Sequence, residues 1–192
     1  MLTGPIRRLG CHMKSLTLLL FLCGLPVPGK TEGPLFQDSQ KRAAFLYNLA
    51  KFVEWPPQAF LDADSPVVIG LVGNDFESKA LESVLVTGFA GKTIGGRPLV
   101  IKRWSAPAER EQCHVLYVGA SERNSFENLL EYIQPTSVLT VSEISGFAQR
   151  GGIVHFALSG SQIRFEVNHL QAKQAGLTIS SRLLKLARIV GG

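Results

Sequence analysis

The 192-residue chain is 45% hydrophobic and 18% charged, which excludes extended disorder and supplies enough apolar side chains for a core of its own. Its formal charge of +5 invites comparison with nucleic-acid binders, but three of the 20 basic residues (Arg7, Arg8 and Lys14) precede the first acid, Glu32. Removing those three leaves 17 basic residues against 15 acidic ones, a balance of +2, and the argument for nucleic acid disappears.

The first segment decides the compartment. A basic stretch without acids is followed by Leu16–Leu25, apolar apart from Thr17, the layout of a secretory leader. The run is about half the roughly 20 residues a membrane span requires. Leu22 stands where a lipid-modified cysteine at position 23 would want a small residue, and Pro26 and Pro28 would end a buried helix at once. We therefore read residues 1–29 as a signal peptide, with Met13 an alternative start. The mature chain begins near Lys30, outside the cytoplasm. Cutting there removes Cys11 and Cys23 and leaves Cys113, which cannot form an intramolecular disulfide. It is either a buried, inert thiol or an intermolecular one linking two copies.

Residues 30–37 read as a linker and 38–192 as one domain. A helix starts near Phe36 to Ser39. Phe45, Leu49, Phe52 and Val53 recur on one apolar face, with Lys41, Asn48 and Lys51 near the opposite side. Trp55-Pro56-Pro57 stops it. Pro66–Gly73 is a buried strand. Gly73-Asn74-Asp75 turns into a helix over roughly 76–86, a glycine-rich connection follows, and 98–104 is the second strand. Residues 115–118 make the third. Asn124, with Glu127 three residues on, predicts a capped helix that Pro135 ends, and 138–141 is the fourth strand. Ile153–Leu158 and Gln162–Val167 form a hairpin around Ser159-Gly160-Ser161. Two last helices are expected near 168–175 and 181–190. This alternation predicts an α/β fold, a mostly parallel mixed sheet with helices on both faces in a single compact domain.

Little in the sequence carries bond chemistry. Gly91-Lys92-Thr93 lacks the first glycine of a phosphate-binding loop, since position 86 is Val. Cys113 and His114 are adjacent on a strand and point to opposite faces. The histidines show no metal-ligand spacing, and no cofactor motif is present. Catalytic residues, metal and cofactors are thus read as none. Arg182, Lys185 and Arg188 recur at i, i+3 and i+6 on the expected final helix, a stripe suited to an acidic partner or a small anionic ligand. Tyr47, Asn48, Lys51 and Trp55 complete the candidate partner-binding set. Arg164 is expected to pair with Glu166, two residues along the same strand.

The stretch Lys41-Arg42-Ala43-Ala44-Phe45-Leu46-Tyr47-Asn48-Leu49-Ala50-Lys51-Phe52-Val53-Glu54-Trp55-Pro56 closely resembles the opening signature of the YfiR family of exported bacterial proteins. The likeness continues through Ile69-Gly70, Gly91-Lys92-Thr93, Cys113-His114-Val115-Leu116, Leu139-Thr140-Val141-Ser142, Gly146-Phe147-Ala148, Gly151-Gly152 and Phe165-Glu166-Val167-Asn168. It closes with Ile179-Ser180-Ser181-Arg182-Leu183-Leu184-Lys185-Leu186-Ala187. The resemblance spans about residues 39–190. It implies a periplasmic, non-enzymatic α/β domain, often a homodimer, that represses a membrane-anchored diguanylate cyclase by binding its periplasmic part, and so tunes cyclic di-GMP and biofilm. A periplasmic small-molecule sensor is the alternative. Leu49 replaces an aromatic residue common in the first motif, and one cysteine rules out a family-type switch built on intramolecular disulfides.

Overall fold

The computed structural model describes residues 34–104, 113–133, 136–160 and 162–191. The leader with Cys11 and Cys23, the Pro135 helix stop and Ser161 of the hairpin turn lie outside the described residues.

Helix α1 spans Pro34–Lys51, so residues 34–37, expected as linker, are its first turn; proline suits that position because its missing N–H would be unpaired there anyway. Its buried face is Ser39, Arg42, Ala43, Leu46, Leu49 and Ala50, rotated from the expected one. Ala43 and Ala50 let the helix backbone approach its neighbours closely, and Phe45 sits at the border against Phe156, ring centroids 4.8 Å apart. Phe52 lies beyond the helix, 37% exposed. Val53 belongs to a short strand, β1 (Val53–Glu54), and a 3-10 turn over Pro57–Ala59 follows.

Strand β2 (Val67–Val72) is buried from Val67 to Leu71, as a central parallel strand covered on both faces must be. Helix α2 (Phe76–Phe89) is capped by Asp75. A tight turn then joins β3 (Thr93–Ile94) antiparallel to β4 (Arg97–Trp104); Gly95 and Gly96 supply its positive φ angles. Next come β5 (Val115–Val118), α3 (Phe126–Ile133) and β6 (Leu139–Ser142). α3 begins after Ser125, not at an Asn124 cap, and Glu127 reaches Arg150 at 2.8 Å instead of closing a capping box. The hairpin β7 (Val154–Ser159) and β8 (Gln162–Asn168) forms as expected. After it come α4 (His169–Gln174), β9 (Thr178–Ile179), α5 (Ser181–Leu184) and β10 (Arg188–Val190).

The expected helix 181–190 is therefore corrected: one turn of helix, then a strand. Leu183 is buried on the main core while Ile189 joins the sheet edge beside Val167. Pairing with β8 supplies β10 with backbone partners that an isolated final helix would have had to find in its own turns.

Sheet order is β10-β8-β7-β6-β5-β2-β4-β3, with β1-β9 a separate two-stranded pair. Among the described residues, five of the seven pairings in the larger sheet are parallel. One face packs Val67, Ile69, Leu71, Val115, Tyr117, Leu139 and Val141 beneath α1 and α2. The other packs Leu116 and Val118 beneath α3 with Phe126, Leu129 and Ile133. The fold is thus a mixed, mostly parallel α/β domain with helices on both faces, as expected.

Candidate interaction surface

The strand order places a topological switch at β2: β4 follows it on one side and β5 on the other. In such sheets the usual ligand crevice opens outside the carboxyl ends of these strands. Here that position is filled by the chain itself. Asp75 accepts from Ser78 N and Ser78 Oγ, both at 2.8 Å, and from Ser121 N at 3.3 Å. Burial works against the Asp75 charge, but these hydrogen bonds outweigh it and hold the carboxyl below its usual range. A Cβ on Gly119 would come within 2.2 Å of Ser78 Oγ, so the loops are in contact. Beside them Arg42 Nε donates to Glu143 at 2.6 Å and Arg42 Nη2 lies 3.8 Å from Glu77, while Tyr117 Oη donates to Glu143 at 3.3 Å. An anion arriving at the positive end of α2 meets Asp75, Glu77 and Glu143. This end of the sheet is a structural clasp.

The opposite end brings together part of the sequence-selected set. β1 and β9 pair Val53 with Ile179 and Glu54 with Thr178, and Ser180 N donates to Phe52 O at 2.8 Å. Segments 51–55 and 178–185, more than 120 positions apart, are thereby brought side by side. Lys51, Arg182 and Lys185 are exposed. Phe52 and Leu186, 37% and 77% exposed, add apolar area to this face, where periodicity had expected Phe52 on the buried side of the helix. Only the β1–β9 pairing and the early end of α1 reveal them.

Two of the chosen residues have structural roles. Tyr47 Oη donates to Thr93 O at 3.1 Å, its ring lies 5.0 Å from that of Phe89, and Lys51 Nζ sits 5.3 Å over it. Trp55 is half-buried and donates Nε1 to His114 O at 3.2 Å. Asn48 is exposed on α1. Arg188 does not share a helix face with Arg182 and Lys185. It lies on β10 and its guanidinium pairs with Glu166. Glu166 also accepts from Gln149 and lies 3.7 Å from His155 Nδ1. The expected Arg164–Glu166 pair does not form: Arg164 is exposed opposite Ala157. Partners from the neighbouring strands reach Glu166 more directly than a side chain two residues along its own strand.

His114 is structural too. Its Nδ1 accepts from Val68 N at 3.1 Å and its Nε2 faces Ala59 O at 3.1 Å, which assigns the neutral tautomer with the proton on Nε2. Burial pushes its pKa down, against the pull of the Ala59 carbonyl. Cys113 keeps some residue exposure, but its thiol is turned inward toward Val115 O, and burial pushes its pKa far up. A thiol of this kind is a poor nucleophile. No group of metal-binding side chains occurs among the described residues.

A family model described as YfiR/HmsC-like matches residues 39–188. The chain belongs to the YfiR/HmsC-like family. Both sequence blocks that meet at β1 and β9 fall within that match. No curated protein matches the chain. Among solved structures, the YfiR/HmsC-like domain is similar to an ABC domain in complex with L-Trp from Streptococcus pneumonia, at 12% identity and a TM-score of 0.52. That match covers 79% of this chain and 60% of the other. It is also similar to a conserved domain protein from Vibrio cholerae O1 biovar eltor, at 14% identity and a TM-score of 0.50, covering 81% and 60%. Both likenesses concern the α/β fold alone, and the chain spans about 60% of the length of either structure.

Proposed function

We propose that this protein is an exported regulatory binding protein that restrains a membrane-anchored diguanylate cyclase by contact with its periplasmic part, so tuning cyclic di-GMP and biofilm. The observation that carries the reading is the YfiR/HmsC-like match over residues 39–188. Residues 1–29 act as the leader, 30–33 as a short link and 34–192 as the working domain, which functions as a homodimer. Among the described residues no helix is long and apolar enough to cross a membrane.

The docking face comprises Lys51, Phe52, Arg182, Lys185 and Leu186, with Asn48 and Trp55 at its border. Cations around apolar side chains favour a partner segment that is acidic with an apolar anchor. The mechanism is a shift between bound and free populations, without bond chemistry. The test is deletion of the gene with cyclic di-GMP measured before and after, together with pull-down from solubilised membranes. Deletion should raise the nucleotide, and a membrane cyclase should co-purify with the wild-type protein. Unchanged cyclic di-GMP with no membrane partner would overturn the reading.

A further inference from the structure

The second face of the sheet is covered unevenly. α3 has eight residues, about 12 Å of helix, against 18 and 14 in α1 and α2 on the first face. Past its last turn lies a cleft of about 370 Å³ walled by Trp104, Leu116, Ile133 and Val138. Gln58, Tyr132 and Ser137 also line it, and none of the described lining residues is charged. Cys113 belongs to the same wall, and burial keeps its thiol protonated.

We propose that this cleft binds an uncharged aromatic small molecule. Its size sets the class. An engineered apolar cavity of about 150 Å³ takes one benzene, so the cleft suits a bicyclic molecule of roughly twelve to fifteen non-hydrogen atoms by the same packing. The lining sets the charge. A carboxylate or ammonium group would be desolvated against Leu116, Ile133 and Val138 with no counter-ion among the described lining residues, whereas a hydroxyl or amide on the ligand meets Gln58 or Ser137. Two aromatic residues, Trp104 and Tyr132, are among the lining, and aromatic walls favour a flat π-system.

The cleft also adjoins the segment that carries Trp55. Ala59 lines it, the Ala59 carbonyl faces His114 Nε2, and the His114 carbonyl accepts from Trp55 Nε1. An occupant therefore touches the 3-10 turn that follows Trp55. Any consequence for partner binding rests on the docking face proposed above; the binding itself does not.

The test is titration of the isotope-labelled full chain with 2-naphthol, a neutral bicyclic probe, followed by amide chemical shifts. Saturable one-to-one shifts centred on Ala59, Cys113, Leu116 and Ile133 are expected, with half-saturation below about 1 mM. Thr136→Trp, which places an indole at the exposed edge of the cleft, should weaken binding at least tenfold. Ser137→Phe should do the same if the first variant fails to fold. Absence of saturation would overturn the proposal, as would equal affinity in a folded filling variant. Shifts confined to the neighbouring cavity around Gln171 and Gln174 would also overturn it. The measurement needs no cyclase, so its failure leaves the docking reading standing, and the reverse.

Discussion

Replacing Arg42 by Met should reveal the clasp at the carboxyl end of the sheet through a pH-dependent loss of stability. The Arg42 side chain is 9% exposed and that of Glu143 19%. Burial pushes the Glu143 carboxyl up, and the Arg42 hydrogen bond and charge pull it down without reversing the shift. Arg42 itself is held more firmly charged: burial lowers its pKa, but the Glu143 hydrogen bond and the charges of Glu143 and Glu77 together outweigh that. Methionine keeps most of the stem's packing and removes the charge. Breaking a buried pair in this way costs about 3–5 kcal/mol when the remaining charge cannot escape. Glu143 retains some solvent and Tyr117, so about 2–3 kcal/mol at pH 8 is expected, or roughly 4–12 °C in Tm for a domain of this size. The sign with pH follows from Glu143. Its folded pKa is already above the ordinary carboxylate value and rises further without Arg42. The stability contributed by the neutral acid is present below the unfolded pKa and lost as pH rises through the folded one. The gap between variant and wild type should therefore be smaller near pH 5 and widest near pH 8. Thermal unfolding by circular dichroism at both pH values measures it. A gap that stays constant, or that grows toward acid, would refute the reasoning.

Other consequences are more local. Gly70→Ala should cost about 1–3 kcal/mol by overpacking, because its Cβ would stand 2.3 Å from the Trp104 ring; chemical denaturation reads it, and Trp104→Leu in the same chain should recover part of the loss. Asp75→Ala should cost about 1 kcal/mol as a lost helix cap. Because the Asp75 pKa is lowered, its contribution is present above the usual carboxylate range and fades as pH falls through the folded value. A variant still destabilised to the same extent at pH 2 would contradict this. Trp55→Phe should cost only about 1 kcal/mol, since the His114 carbonyl still accepts from Leu139 N at 2.8 Å. Lys51→Glu combined with Arg182→Glu should leave Tm within a few degrees of wild type and weaken capture of the membrane partner at least tenfold; unchanged capture would remove this face from consideration.

Much of the strand pattern was legible because periodicity and burial agree there. Val67–Val72 and Val115–Val118 are short apolar runs bounded by turn residues, and both lie in the middle of a parallel sheet. Asp75 was placed at an element end and proved to be the cap of α2. The errors fall where tertiary contacts outrank local preference. Phe52 fits an apolar helical face by spacing, yet α1 ends at Lys51 and leaves it half in solvent. Residues 185–190 have a sequence that suits helix, but β8 offers an edge and β10 takes it. Cationic spacing alone joined Arg188 to Arg182 and Lys185; the strand separates it and gives it to Glu166.

The α/β class follows from periodicity, and the proposed leader boundary, with the charge balance and single thiol it would leave, rests on composition; both act over a few residues and need no long-range partner. The tertiary structure alone decided that residues 51–55 and 178–185 form one face, that Asp75 closes the crevice common to such sheets, and that a cleft remains beyond the short α3. Those features depend on which strand pairs with which, and pairing is a competition among distant segments whose outcome no local window of sequence contains.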